Sequence, residues 1–183
     1  MKVKTLAGAI MAVTLVATSA GVMADAGSGT VTFRGSIIDA PCSITQESQF
    51  QTVEMGQVSN AALTDGRRST PRPFQIELNG CDVSVLKTAK ATFTGTESGS
   101  TGMLAITGSA RGASLAIADS NGTLIPLGTE STAQELSNGD TSLLFSAYLQ
   151  GNVAPGVGEE PGVAAPIVPG DFETFANFTL AYQ

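Results

Sequence analysis

Apolar residues recur at every second position in short runs along this chain, and glycine, proline or asparagine closes most of the runs. A period of two puts successive side chains on opposite faces of a strand, so each run buries one face and wets the other. By this rule strands are predicted over residues 30–38, 51–58, 74–78, 89–95, 113–118, 124–127, 143–149 and 172–182. Helix is expected only as a turn or two within residues 83–89. The polar, Pro-containing stretch 64–73 reads as a loop, and Ser120-Asn121-Gly122-Thr123 as a hairpin turn with positive φ at Asn-Gly. Ser137-Asn138-Gly139-Asp140 is a similar break, and residues 153–170, dense in Pro and Gly, read as a long connection without regular structure. Many short strands with Gly-rich breaks predict an all-β sandwich of one domain.

The first residues read as an export signal. Lys2 and Lys4 form a positive start, residues 6–16 are an apolar run too short to span a bilayer, and Val22-Met23-Ala24 offers small or compact side chains to a peptidase. Cleavage after Ala24 leaves 159 of the 183 residues and takes the formal charge from −7 to −9 with the loss of two lysines. An acidic exported protein is a poor partner for nucleic acid or anionic lipid. Cys42 and Cys81 are the only cysteines, and an even pair in an exported chain reads as one disulfide.

Catalysis finds little support. The chain has no histidine, which removes the commonest general base and metal ligand together. Asp39, Asp65, Asp82, Asp119, Asp140 and Asp171 sit near breaks, where Asp bonds its own backbone, and Glu159-Glu160 reads as solvated charge. A Ser–Lys dyad through Lys87 or Lys90 lacks any motif. No enzyme, cofactor or metal is expected. Arg67, Arg68 and Arg72 form a small basic loop that reads as solvated.

The two ends hold the informative pattern. Phe172, Thr174, Ala176, Phe178, Leu180 and Tyr182 share one face of a last strand that has the character of a core strand, yet the sequence ends one residue later. At the other end a small, polar segment from Asp25 leads into the alternating set Gly29, Val31, Phe33, Gly35 and Ile37. Periodicity alone reads that set as the ordinary first strand of the domain.

Residues 31–44 (VTFRGSIIDAPCSI), 52–59 (TVEMGQVS), 74–81 (FQIELNGC) and 145–151 (FSAYLQG) resemble the major pilins of chaperone–usher fimbriae. The ending fits as well, with Tyr182 penultimate and Gly170 fourteenth from the end. The resemblance is to the major subunits of P pili and of mannose-resistant, Proteus-like fimbriae among others, and it covers essentially the whole chain. It implies an all-β, incomplete immunoglobulin-like β-sandwich of six strands plus an N-terminal donor-strand arm. In such a fold the missing seventh strand leaves a groove open to the core. The resemblance divides the chain into a signal peptide (1–24), a donor arm (25–37) and a pilin domain (38–183). Gly29, Val31, Phe33, Gly35 and Ile37 are then implied to enter the groove of a neighbouring copy. Gly170, Phe172, Phe178, Leu180 and Tyr182 are implied to border the groove on the last strand. The implied partners are other copies of the chain, a periplasmic pilus chaperone, an outer-membrane usher and minor fimbrial subunits. The product is a fibre shaft at the cell surface. A minor adaptor or tip-associated subunit, or an adhesin for a host receptor, is the alternative.

Overall fold

The computed structural model describes residues 28–99, 102–154 and 162–183. The export signal, the start of the arm and Glu159-Glu160 lie outside them. The chain divides after Ile37 into two units. In the first, residues 28–37 carry no strand, and Phe33 is 89% exposed with Val31 and Ile37 exposed beside it in sequence. The strand that periodicity predicts over 30–38 is therefore not formed: an alternating segment becomes a strand only when a ladder partner takes its amides and carbonyls.

The second unit, from Ile38 onward, is built of strands. In chain order they are β1 (Ser43–Ile44), β2 (Arg72–Cys81), β3 (Thr88–Gly95), β4 (Leu104–Ala105), β5 (Thr107–Gly108) and β6 (Ala113–Asp119). There follow β7 (Gln134–Glu135), β8 (Gly139–Gly151), β9 (Val153–Ala154), β10 (Val163–Ala164), β11 (Phe172–Glu173) and β12 (Ala176–Tyr182). One layer is the five-stranded sheet β1-β2-β8-β6-β4, the other the three-stranded sheet β12-β3-β7, with the pairs β11-β5 and β10-β9 alongside. All named pairs are antiparallel.

The inward faces meet in one core. Ile76, Leu78, Leu143 and Phe145 from the larger sheet are buried against Ala89, Ala91 and Phe93 from the smaller. Phe93 stands edge-on to Phe145, ring centroids 5.1 Å apart, and Phe74 and Phe178 join it at 6.2 and 6.4 Å. Such rings bury large apolar area and add directional contacts across the layers. All of β6 is buried because its outer face is covered too: Ala116 and Ala118 lie with Met103 and Tyr148 in a second, small cluster. Cys42 and Cys81 form the disulfide, Cα atoms 4.1 Å apart, tying the entry of β1 to the end of β2.

Several expectations need correction. Residues 83–89 are not helical; the helix is α1 (Gln46–Gln49), capped where the Ser48 amide donates to Thr45 Oγ1, with short 3-10 turns at Asn60–Ala62 and Thr64–Gly66. The second of these turns, the Arg68–Gln150 bridge and the start of β2 occupy the supposed loop 64–73. Residues 124–127 make only a bridge from Leu124 to Ala118. In the turn before them Gly122 alone takes positive φ, because Asp119 Oδ1 accepts the amides of Asn121 and Thr123 and closes a wider loop. The Pro- and Gly-rich connection contains the pair β9 and β10. The last strand is broken at Thr174-Phe175, since its first part pairs with β5 and its second with β3, and one continuous strand cannot serve both.

Candidate subunit-interaction groove

A groove of about 1200 Å³ opens along this sandwich. One rim is residues 51–58 and the other is residues 167–178. Its floor includes Phe93, Leu104, Leu115, Ile117 and Leu149, all core residues.

The second rim contains β11 and the start of β12, whereas no strand is assigned to the first. Residues 51–58 alternate, with Met55 buried, Val53 and Val58 half-buried, and Glu54, Gly56 and Gln57 exposed. Among the described residues no ladder partner is assigned to this segment, so the strand that the alternation predicts is half made: its side chains find the core and its backbone finds no neighbour. Opposite, β12 is the outermost strand of its sheet, paired with β3 alone. Unpaired edge amides and carbonyls over apolar floor form a template for an added strand.

The last strand is less enclosed than the inner strands. Phe172, Phe178, Leu180 and Tyr182 pack against the core yet stay half-exposed, whereas Ile76 and Leu78 on the enclosed strand β2 are 0% and 1% exposed. Gly170, Phe172 and Phe178 line the groove; Leu180 and Tyr182 lie further along the same strand, outside the lining. Burial pushes the Tyr182 phenol above its ordinary pKa. Gly170 sits where β11 approaches the Ser109 turn: the Asp171 amide donates to Ser109 Oγ at 3.0 Å, and a Cβ on Gly170 would strike that hydroxyl and the Ala110 nitrogen. At the far end the Gln183 carbonyl accepts the amides of Lys87 and Thr88 at 2.7 and 2.9 Å, fixing the chain end on β3.

Of the alternating N-terminal set, Gly29, Val31, Phe33, Gly35 and Ile37 are all exposed. A Cβ on Gly29 or Gly35 would meet nothing within 4 Å, and neither has positive φ. Nothing among the described residues therefore requires glycine at those two positions.

Sequence reasoning missed the rim at 51–58 as a rim. The Val53 and Met55 alternation predicts a strand that is not assigned there, and which edge stays unpaired is a matter of topology. It missed Leu104, Ile106 and Ile167 as well, which lie in segments too short for periodicity to register. Among the described residues no group of three or more Cys, Asp or Glu is placed to hold a metal, and no helix is long and apolar enough to cross a membrane.

Several known proteins are similar to this chain. The family model described as Fimbrial protein matches residues 31–183. Fimbria A protein of Serratia marcescens is 52% identical over 161 residues, covering 87% of each chain. The major MR/P fimbria protein of Proteus mirabilis is 48% identical over 162 residues, again covering 87% of each. Among solved structures, the P pilus rod subunit PapA superposes with a TM-score of 0.64 at 31% identity, covering 79% of this chain and all of that one. A subunit from the structure of a chaperone–usher pilus, solved to explain rod uncoiling, gives 0.69 at 32% identity, covering 86% and 97%.

Proposed function

We propose that this chain, which belongs to the fimbrial protein family, is the shaft-forming subunit of a surface fibre and polymerises by lending its N-terminal segment to the groove of the next copy. One observation carries the reading: a groove between the edge strand β12 and the unpaired segment 51–58, over an open core, in a chain whose alternating N-terminal segment has no strand partner among the described residues. This is strand addition between chains, with main-chain pairing giving strength and alternate side chains giving fit.

The arm is residues 25–37, with Gly29, Val31, Phe33, Gly35 and Ile37 facing the groove; Gly170, Phe172, Phe178, Leu180 and Tyr182 stand on the strand that receives it. Residues 1–24 are a cleaved leader, and the groove belongs to the domain from residue 38 onward. Donor and acceptor surfaces differ, so each copy has one free arm and one free groove. Such head-to-tail contacts do not close on themselves and give a filament.

Before assembly, the same exposed edge calls for temporary cover. A periplasmic chaperone lending a strand, and an outer-membrane usher where the arm replaces it, meet that need, with minor subunits at the fibre ends. The role is structural and requires no catalysis. The relatives whose names call them major subunits favour shaft over adaptor. Copy number is the check, since depolymerised fibres should consist mostly of a shaft subunit.

Phe33→Asp tests the arm directly. A charge forced into an apolar groove should abolish fibres while the donor's own sandwich stays folded. Fibres at normal abundance would contradict the reading.

A further inference from the structure

The groove has a charged rim as well as an apolar floor. Glu54 on one side and Glu173 on the other line it, both exposed, with Asp171 beside Glu173. The basic side chain in the lining is Arg111, whose Nη1 is held by the carbonyls of Gly108 and Ala110. The ion pair among the described residues is Lys90 with Glu130, so neither Glu54 nor Glu173 has a cationic partner there.

The arm carries a single cationic side chain. Arg34 falls between Phe33 and Gly35 and is exposed, with no ion pair among the described residues. Alternation fixes its direction: when Phe33 and Gly35 face a groove floor, Arg34 faces outward, at the level of the rims.

We propose that Arg34 sets the register and selectivity of the inserted strand by pairing with Glu54 and Glu173 of the receiving copy, a role that rests on the strand-donation reading above. Apolar side chains alone hold register loosely where glycines leave steps small, and a slip of two residues keeps the same face inward. A charge that finds a carboxylate on each rim, Glu54 and Glu173, in one register and Asp171 alone in the register slipped toward it favours the first, and it disfavours arms with an acid at this position. Exposed pairs of this kind are individually weak and are screened by salt. The contribution is therefore to discrimination, with the floor supplying the strength.

The test uses fibres assembled from the full chain and their half-time of dissociation in urea, a non-ionic denaturant, at low salt and at about 0.5 M salt. Arg34→Glu fibres should dissociate about five- to tenfold faster than wild type at low salt, with the gap shrinking at high salt. Glu173→Lys or Glu54→Lys added to the Arg34→Glu chain should restore the wild-type half-time. Should Arg34→Glu yield no fibres, Arg34→Gln provides the kinetic comparison, and the charge-swapped double variant must recover assembly. Unchanged half-times for Arg34→Glu, failure of both swaps, or equal rescue by Glu135→Lys away from the groove would each overturn the role of Arg34. None of these outcomes touches strand donation itself, which Phe33→Asp judges separately.

Discussion

The side chain of Gln134 pairs with the backbone of Leu144 as a strand would: Nε2 donates to the Leu144 carbonyl at 3.1 Å, and Oε1 accepts the Leu144 amide at 2.9 Å. Gln134 lies in β7, on the sheet that carries β12, and Leu144 lies in β8, on the other sheet. Pairing of β6 with β8 ends at Asp119 and Phe145, so Leu144 is the next residue without a strand on that side. The amide side chain has the donor and acceptor of a peptide unit, and it closes the sandwich at the end where no strand reaches.

Gln134→Ala should therefore destabilise the domain by about 1 kcal/mol, the net value of hydrogen bonds that water can partly replace. Gln134→Glu keeps the acceptor and loses the donor, and it should also be destabilising. Urea unfolding of the purified subunit reads both; a midpoint equal to wild type for both variants would leave the bridge without energetic weight.

The Cys42–Cys81 bond closes a 39-residue separation and anchors the segment that leads into the rim at 51–58. In the chain-entropy picture such a loop is worth roughly 4 kcal/mol. The double variant Cys42→Ser/Cys81→Ser should fall in stability by about that amount and accumulate poorly before assembly, as immunoblots of subunit level and thermal unfolding would register. Unchanged yield and unfolding temperature would show that packing alone holds the rim.

Gly170→Val should separate β11 from the Ser109 turn, because a side chain there occupies the space of Ser109 Oγ and Ala110 N. The expected penalty is about 1–3 kcal/mol, typical of overpacking against backbone. Its signature is a local one: amide exchange should quicken at Asp171, which donates to Ser109, more than at the enclosed strand β2.

Tyr182 supplies a pH dependence. Its phenol is raised above the ordinary 10.0 by burial, so the folded chain holds the proton where the unfolded chain has released it. Stability from this group is complete below the ordinary pKa and is lost as pH climbs through the raised one. Thermal unfolding should thus weaken above about pH 10, and Tyr182→Phe should flatten that decline. An identical alkaline slope in the variant would assign it to other groups.

Periodicity made much of the sandwich legible. The strands around Ile76, Phe93, Leu115 and Phe145 lie where alternation put them, because each has one face in the core. Alternation was silent on pairing, and there the reading diverged. Residues 30–38 and 51–58 have the side-chain pattern of strands and lack ladder partners among the described residues, which no local signal reports. The break at Thr174-Phe175 escaped notice for the same reason: it arises from a change of partner, from β5 to β3, while the apolar spacing runs on through it. Gln134 carried no signal, since its role depends on where β6 stops.

The most direct test of the account removes residues 25–37 from the chain that begins at Asp25 and asks whether what remains is complete. The account predicts that the shortened subunit unfolds at low temperature or aggregates, and that a peptide of residues 25–37 binds it and raises its unfolding temperature by more than 10 °C, on the order expected when several large apolar side chains are buried. A shortened subunit that melts cooperatively at the temperature of the assembled fibre, with no shift on adding the peptide, would show that the groove needs no donated strand.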